Sequence, residues 1–186
     1  MNSHFSARID SFKKHWILLF GIIMGLFYFL EITGAHPKYG KVFYQLGIDA
    51  EKSKREEKAI RCYQKSIHFD PYAPEAYNNL GLLYSKKGDF QKAREYLQQS
   101  ISVAPDFYFG FDNLGLLYLN NGYYDRAIAC FLISLRRINN TLTRYQLGVA
   151  YFKKGYFDNT LEVISELKLE DEFVLAEKLE ELINSN

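Results

Sequence analysis

Four Leu-Gly pairs, Leu46-Gly47, Leu80-Gly81, Leu114-Gly115 and Leu147-Gly148, recur at spacings of 34, 34 and 33 residues. Self-similarity at that period is the mark of paired helices stacked into a solenoid, where each hairpin buries its apolar face only against its neighbours. Glycine inside a helix costs about 1 kcal/mol relative to alanine. Gly81 and Gly115 are therefore expected where the second helix of a hairpin comes too close to admit a Cβ, with Ala93 and Ala127 on the facing surface. Gly88 and Gly122, after Lys87 and Asn121, are expected to end first helices as C-cap glycines. Asp89 and Asp125 are predicted to cap the helices that follow, and Pro71 and Pro105 to stop the second helices.

The residues around those pairs agree position by position. Repeat two reads Tyr77, Leu80, Gly81, Tyr84, Gly88, Phe90, Ala93, Leu97, Ser100 and Pro105. Repeat three reads Phe111, Leu114, Gly115, Tyr118, Gly122, Tyr124, Ala127, Phe131 and Ser134. This order resembles the tetratricopeptide-repeat (TPR) family, with Asn139 standing where the family has Pro. In repeat one Phe43, Leu46, Gly47, Ala59, Tyr63, Ser66 and Pro71 fit, but Ala50 replaces the first-helix Tyr and the turn at Lys54-Arg55-Glu56 lacks its Gly. In repeat four Leu147, Gly148, Tyr151, Gly155 and Phe157 fit, and Thr160 replaces the Ala. Degraded terminal repeats are expected, since each has a neighbour on one side only.

The resemblance covers Tyr39 to Glu170 and implies an all-α TPR solenoid over residues 36–170. Its four helix-turn-helix repeats are expected at about 40–73, 74–107, 108–140 and 141–170. Residues 171–186 are predicted to form a capping helix whose stripe of Phe173, Val174, Ala176, Leu179, Leu182 and Ile183 covers the last repeat.

Ahead of the repeats, residues 1–15 form a short basic flank with Arg8, Lys13 and Lys14. From Trp16 to Leu30 there is no charge and no proline. That run spans about 22 Å as a helix, against a hydrocarbon core of ~30 Å. Snorkelling by Lys13 and Lys14, and extension through Ile32 to Ala35, make up the difference. Residues 16–35 are thus expected to be a single transmembrane anchor. The same run also has the form of a signal peptide, with Thr33-Gly34-Ala35 as its cleavage site; its length favours an anchor. Basic residues before it, against Lys38 and Lys41 after it, favour a repeat domain on the exoplasmic or periplasmic side.

Composition narrows the function. Lys+Arg and Asp+Glu nearly cancel to a formal charge of +1, without the basic excess that a nucleic-acid partner requires. The fifteen Tyr and fifteen Phe recur mostly at helical spacing, as core residues do. Cys62 and Cys130 occupy the same position two repeats apart, too far for a disulfide, and read as small buried hydrophobes. The four histidines show no metal-ligand spacing, and no nucleophile elbow, metalloprotease motif or phosphate loop occurs. Neither a cofactor, a metal nor a small-molecule substrate is expected.

The resemblance implies that first helices line a concave, peptide-binding groove. Gln45, Asn79, Asn113 and Gln146 share the position just before each Leu-Gly pair. A side-chain amide both donates and accepts, so this ladder suits the backbone of an extended polypeptide. Beside it lie Tyr44, Asn78, Asp112 and Tyr145; one turn on come Ile48, Leu82, Leu116 and Val149, then Glu51, Ser85, Leu119 and Phe152. The carboxylate clamp of chaperone-binding TPR domains keeps only Asn79 here, with Tyr44, Ile48, Phe109 and Asn113 in its other slots, which argues against Hsp70 or Hsp90 tails. The expectation is a non-catalytic, membrane-anchored adaptor for partner polypeptides in assembly of a membrane or envelope complex. A permanent structural subunit and an import-type receptor with cytosolic repeats are the alternatives.

Overall fold

The computed structural model describes residues 16, 19–25 and 36–185. From His36 onward these form α1 (Pro37–Lys52), α2 (Glu56–Phe69), α3 (Pro74–Lys86), α4 (Phe90–Val103), α5 (Tyr108–Asn120), α6 (Tyr124–Leu135), α7 (Thr141–Lys154), α8 (Phe157–Leu169) and α9 (Phe173–Asn184). Consecutive helices pair as hairpins, and each hairpin packs on the next.

The repeat glycines stand at the tightest crossings. A Cβ built on Gly81 would lie 2.6 Å from Leu97 Cγ, and one on Gly115 would lie 2.6 Å from the Phe131 ring. Gly47 and Gly148 are blocked in the same way, by Tyr63 and by Leu179 with Val163. Ala93 and Ala127 are fully buried. Inter-helix turns need a left-handed residue, which Gly88, Gly122 and Gly155 supply with φ of 77°, 79° and 86°. In repeat one, which lacks that glycine, Lys54 takes the same conformation at φ 55°. Pro37 and Pro74 open α1 and α3, where a missing N–H is free of cost, while Pro71 and Pro105 follow the ends of α2 and α4.

Two local expectations are corrected. Asp89 caps α4, its side chain accepting from Lys92 N at 3.1 Å, but Asp125 caps nothing. Tyr123 occupies the cap of α6, and Asp125, one residue inside the helix, pairs instead with Lys154 at 2.6 Å. On α9 the inward stripe is Ala176 and Leu179 with Leu175, Leu182 and Ile183; Phe173 and Val174 face solvent. α9 does seal repeat four, since Leu179 is the residue against Gly148.

The core runs as three successive clusters, with Tyr63, Leu80, Leu97, Phe131, Leu167 and Leu179 fully buried. Each such side chain contributes about 1.5–3 kcal/mol of transfer free energy. Cys62 and Cys130 are buried and free. Among the described residues Leu46 is 42% exposed, although Leu80, Leu114 and Leu147 at the same repeat position are buried. The expected anchor, residues 16–35, falls largely outside the described residues. Among the described residues no helix is long and apolar enough to cross a membrane.

Candidate functional site

The first helices form one layer, because α3 contacts α5 and α5 contacts α7. Second helices of successive repeats show no comparable contact among the described residues. A two-layer stack that is closer on one side curves toward it, so the trough lies on α1, α3, α5 and α7. The expected groove residues are on these helices, among them Tyr44 and Gln45 on α1, Asn78, Asn79 and Leu82 on α3, Asp112, Asn113 and Leu116 on α5, and Tyr145, Gln146 and Val149 on α7.

The four amides are not equivalent. Asn113 Nδ2 donates to Asn78 Oδ1 at 2.8 Å across a repeat boundary, and Asn78 Nδ2 donates to Asn79 Oδ1 at 3.4 Å. Asn79 Nδ2 donates to the Tyr63 hydroxyl at 3.1 Å, and that hydroxyl donates to Glu51. The two middle rungs therefore belong to a polar chain running from repeat three back to repeat one. Gln45 is exposed and reaches only Asp49, at 3.3 Å, while Gln146 is half-buried without a hydrogen bond among the described residues. Tyr63, on second helix α2, is the member that the groove pattern missed. Burial, and then the Glu51 carboxylate, push its hydroxyl far above the ordinary tyrosine range.

Depth varies along the trough. Asn78 and Asp112 are 6% and 9% exposed, so they lie beneath the surface rather than on it. Leu116, Tyr145 and Val149 are half-buried against the core clusters, and Phe152 is buried outright. Leu82 is open. So are Phe109 and Leu142, at 47% and 55% exposed, which share one repeat position on α5 and α7. Their 33-residue spacing was the available signal for them.

Repeat three departs from repeats one and two where its second helix meets its first. Ser66 and Ser100 donate at 2.8 Å to the carbonyls of Gly40 and Pro74, tying second helices to the start of first helices. Ser134, at the same repeat position, is buried with its Oγ unpaired, and Asp112 Oδ1 beside it is unpaired as well. Burial raises the Asp112 carboxyl above the ordinary range, and the nearby Ser134 and Thr143 hydroxyls offset this only in part. Among the described residues no cationic side chain pairs with Asp112, and no His, Cys, Asp and Glu group is placed to hold a metal ion.

Stacked helical hairpins with a polar and aliphatic inner layer define a repeat-solenoid protein. Family models described as "Tetratricopeptide repeat" match residues 74–107 and 111–145, and one described as "TPR repeat" matches residues 53–88. The chain belongs to the tetratricopeptide-repeat family.

Solved structures share the fold. MamA is 23% identical with a TM-score of 0.64, covering 84% of this chain and 86% of its own. The first TPR of Spaghetti (RPAP3), bound to the HSP90 peptide SRMEEVD, is 18% identical with a TM-score of 0.63, covering 65% of this chain and 97% of its own. Thermobaculum terrenum O-GlcNAc transferase is 22% identical with a TM-score of 0.57 over 61% of this chain and 22% of its own. No curated protein matches the chain significantly.

Proposed function

We propose that this chain is a membrane-anchored adaptor that holds partner polypeptides along its inner helix layer and supports assembly of a membrane or envelope complex. The observation that carries this is the make-up of that layer. Open aliphatic and aromatic side chains, Leu82, Phe109 and Leu142, run beside amides, and Gln45 and Gln146 at its two ends keep capacity for a backbone. The function is binding rather than catalysis. That a similar solenoid, RPAP3, is bound to a peptide supports a polypeptide occupant. An anchor is supported by Trp16, Leu19, Phe20, Ile22, Ile23 and Met24, large apolar residues that are all exposed. The short stretch from Glu31 to Lys38, with Gly34 and Pro37, then holds the solenoid against the bilayer, on the exoplasmic or periplasmic side.

A photo-crosslinking residue at Leu82 or Phe109, used in native membranes, tests the reading against the outer-layer position Gln98. Adducts to a defined partner should form from the first two and not from Gln98. Adducts from Gln98 alone would sink the groove. Protease protection of the repeat domain in sealed vesicles tests the side of the membrane.

A further inference from the structure

The seam between repeats three and four holds a carboxylate whose counter-charge is missing. Asp112 is nine-tenths buried, its Oδ1 has no hydrogen-bond partner, and no Lys or Arg pairs with it among the described residues. The Ser134 and Thr143 hydroxyls offset its burial only in part, and a buried carboxylate without a counter-charge is costly, because taking the charge out of water is repaid only by a proton, a cation or several donors. The fold does not require an acid there. The same repeat position holds Tyr44, Asn78 and Tyr145 in the other three repeats.

The same repeat positions enclose a cavity at another seam. Between repeats one and two the equivalent residues, Lys41, Tyr44, Ser66 and Glu75, line a cavity of about 340 Å³. Between repeats three and four those positions are Phe109, Asp112, Ser134 and Leu142. Where the first seam carries a lysine and a glutamate, this one carries two open apolar side chains and a single acid.

We infer that this seam receives a Lys or Arg side chain of the bound polypeptide, with its aliphatic stem against Phe109 and Leu142 and its cationic head on Asp112. The inference rests on the groove reading and names the residue class that it selects. Long basic side chains bury their stems on apolar surface while the charged end seeks a polar partner. Either basic head can give the carboxylate a charge-assisted hydrogen bond. An uncharged or acidic side chain in the same place would leave Asp112 unpaired, so selectivity comes from the penalty on the wrong residue as much as from the attraction.

Random linear peptides displayed on phage and selected against the full-length chain in detergent micelles test this. The expected result is enrichment of peptides with a basic residue at fixed spacing from apolar ones. In a parallel selection Asp112→Asn should lose that basic preference, because Asn78 shows that the position accepts an amide. Changing the basic residue of a selected peptide to Gln should weaken its binding to the unaltered chain by roughly tenfold or more, the worth of a charge-assisted hydrogen bond. That second measurement stands even if the variant folds poorly. Enrichment without a basic preference, or a preference that persists in Asp112→Asn, would overturn the inference and leave the groove intact. No enrichment at all would overturn both.

Discussion

Asn113 donates to Asn78 at 2.8 Å across the boundary between repeats two and three, so two residues of the inner helix layer fasten neighbouring repeats together. Asn78 is 6% exposed, and its carbonyl oxygen has no other donor among the described residues. Removing the Asn113 amide leaves that oxygen buried and unmet, which costs about 1–3 kcal/mol. Asn113→Ala should lower the urea midpoint of the full-length protein by a corresponding amount. In Asn78→Leu, where the acceptor is gone, Asn113→Ala should cost much less. Equal losses in both backgrounds would show that the two amides do not interact.

The close crossing at Gly81 is tested by one added methyl group. Its Cβ would meet Leu97 Cγ at 2.6 Å and the Ala93 carbonyl oxygen at 3.2 Å, and Leu97 is fully buried. Overpacking of this kind costs about 1–3 kcal/mol, while replacing a helical glycine regains about 1 kcal/mol. Gly81→Ala should therefore melt below the native protein. A higher melting temperature would mean that α3 and α4 do not cross as closely as described.

Lys54 offers the reverse case. It holds φ 55° at the repeat position where Gly88, Gly122 and Gly155 stand. A left-handed conformation costs a Cβ-bearing residue about 1–2 kcal/mol, and the added freedom of an unfolded glycine returns up to about 1 kcal/mol of that. Lys54→Gly should raise stability by roughly 0.5–1 kcal/mol in chemical denaturation. Lys87→Gly, just before the turn glycine of repeat two, relieves no such strain and should not stabilise.

The hairpins were legible because close helix crossings leave a mark in residue size. The Leu-Gly pairs and the prolines located the crossings and the ends of the second helices. Where the sequence misled, position mattered more than type. Asp125 looked like the equivalent of Asp89 but lies two repeat positions later, and Tyr123 takes the cap. The amide ladder looked uniform because the four residues align, yet their surroundings differ. The residue that meets Asn79 is Tyr63, and its repeat equivalents, Leu97, Phe131 and Ile164, carry no hydroxyl. A network that begins in repeat one alone cannot be read from a pattern common to four. The burial of Asp112 was hidden in the same way, because the identity of a groove residue says nothing of its depth.

That depth gives Asp112 an unusual effect on pH dependence. Burial raises its carboxyl above the ordinary 3.8, Ser134 and Thr143 offset this only in part, and no ionised side chain pairs with it among the described residues. Below the ordinary value both folded and unfolded chains carry the proton, and the contribution to stability is fully present. Above it the unfolded chain ionises freely while the folded chain must keep the proton or bury a charge, so stability is lost as pH rises through the folded value. Asparagine keeps the shape and does not titrate. Asp112→Asn should therefore be more stable than the native protein at pH 7, with the difference shrinking as pH falls toward 4. Glu57, Asp89 and Glu170, which neighbouring cations or hydrogen bonds hold below the ordinary range, titrate in both proteins and cancel from the difference. Urea titrations of both proteins between pH 4 and 7 measure it. A variant less stable at neutral pH would mean that Asp112 already has its partner within the fold, and the seam would then have no charge to offer a ligand.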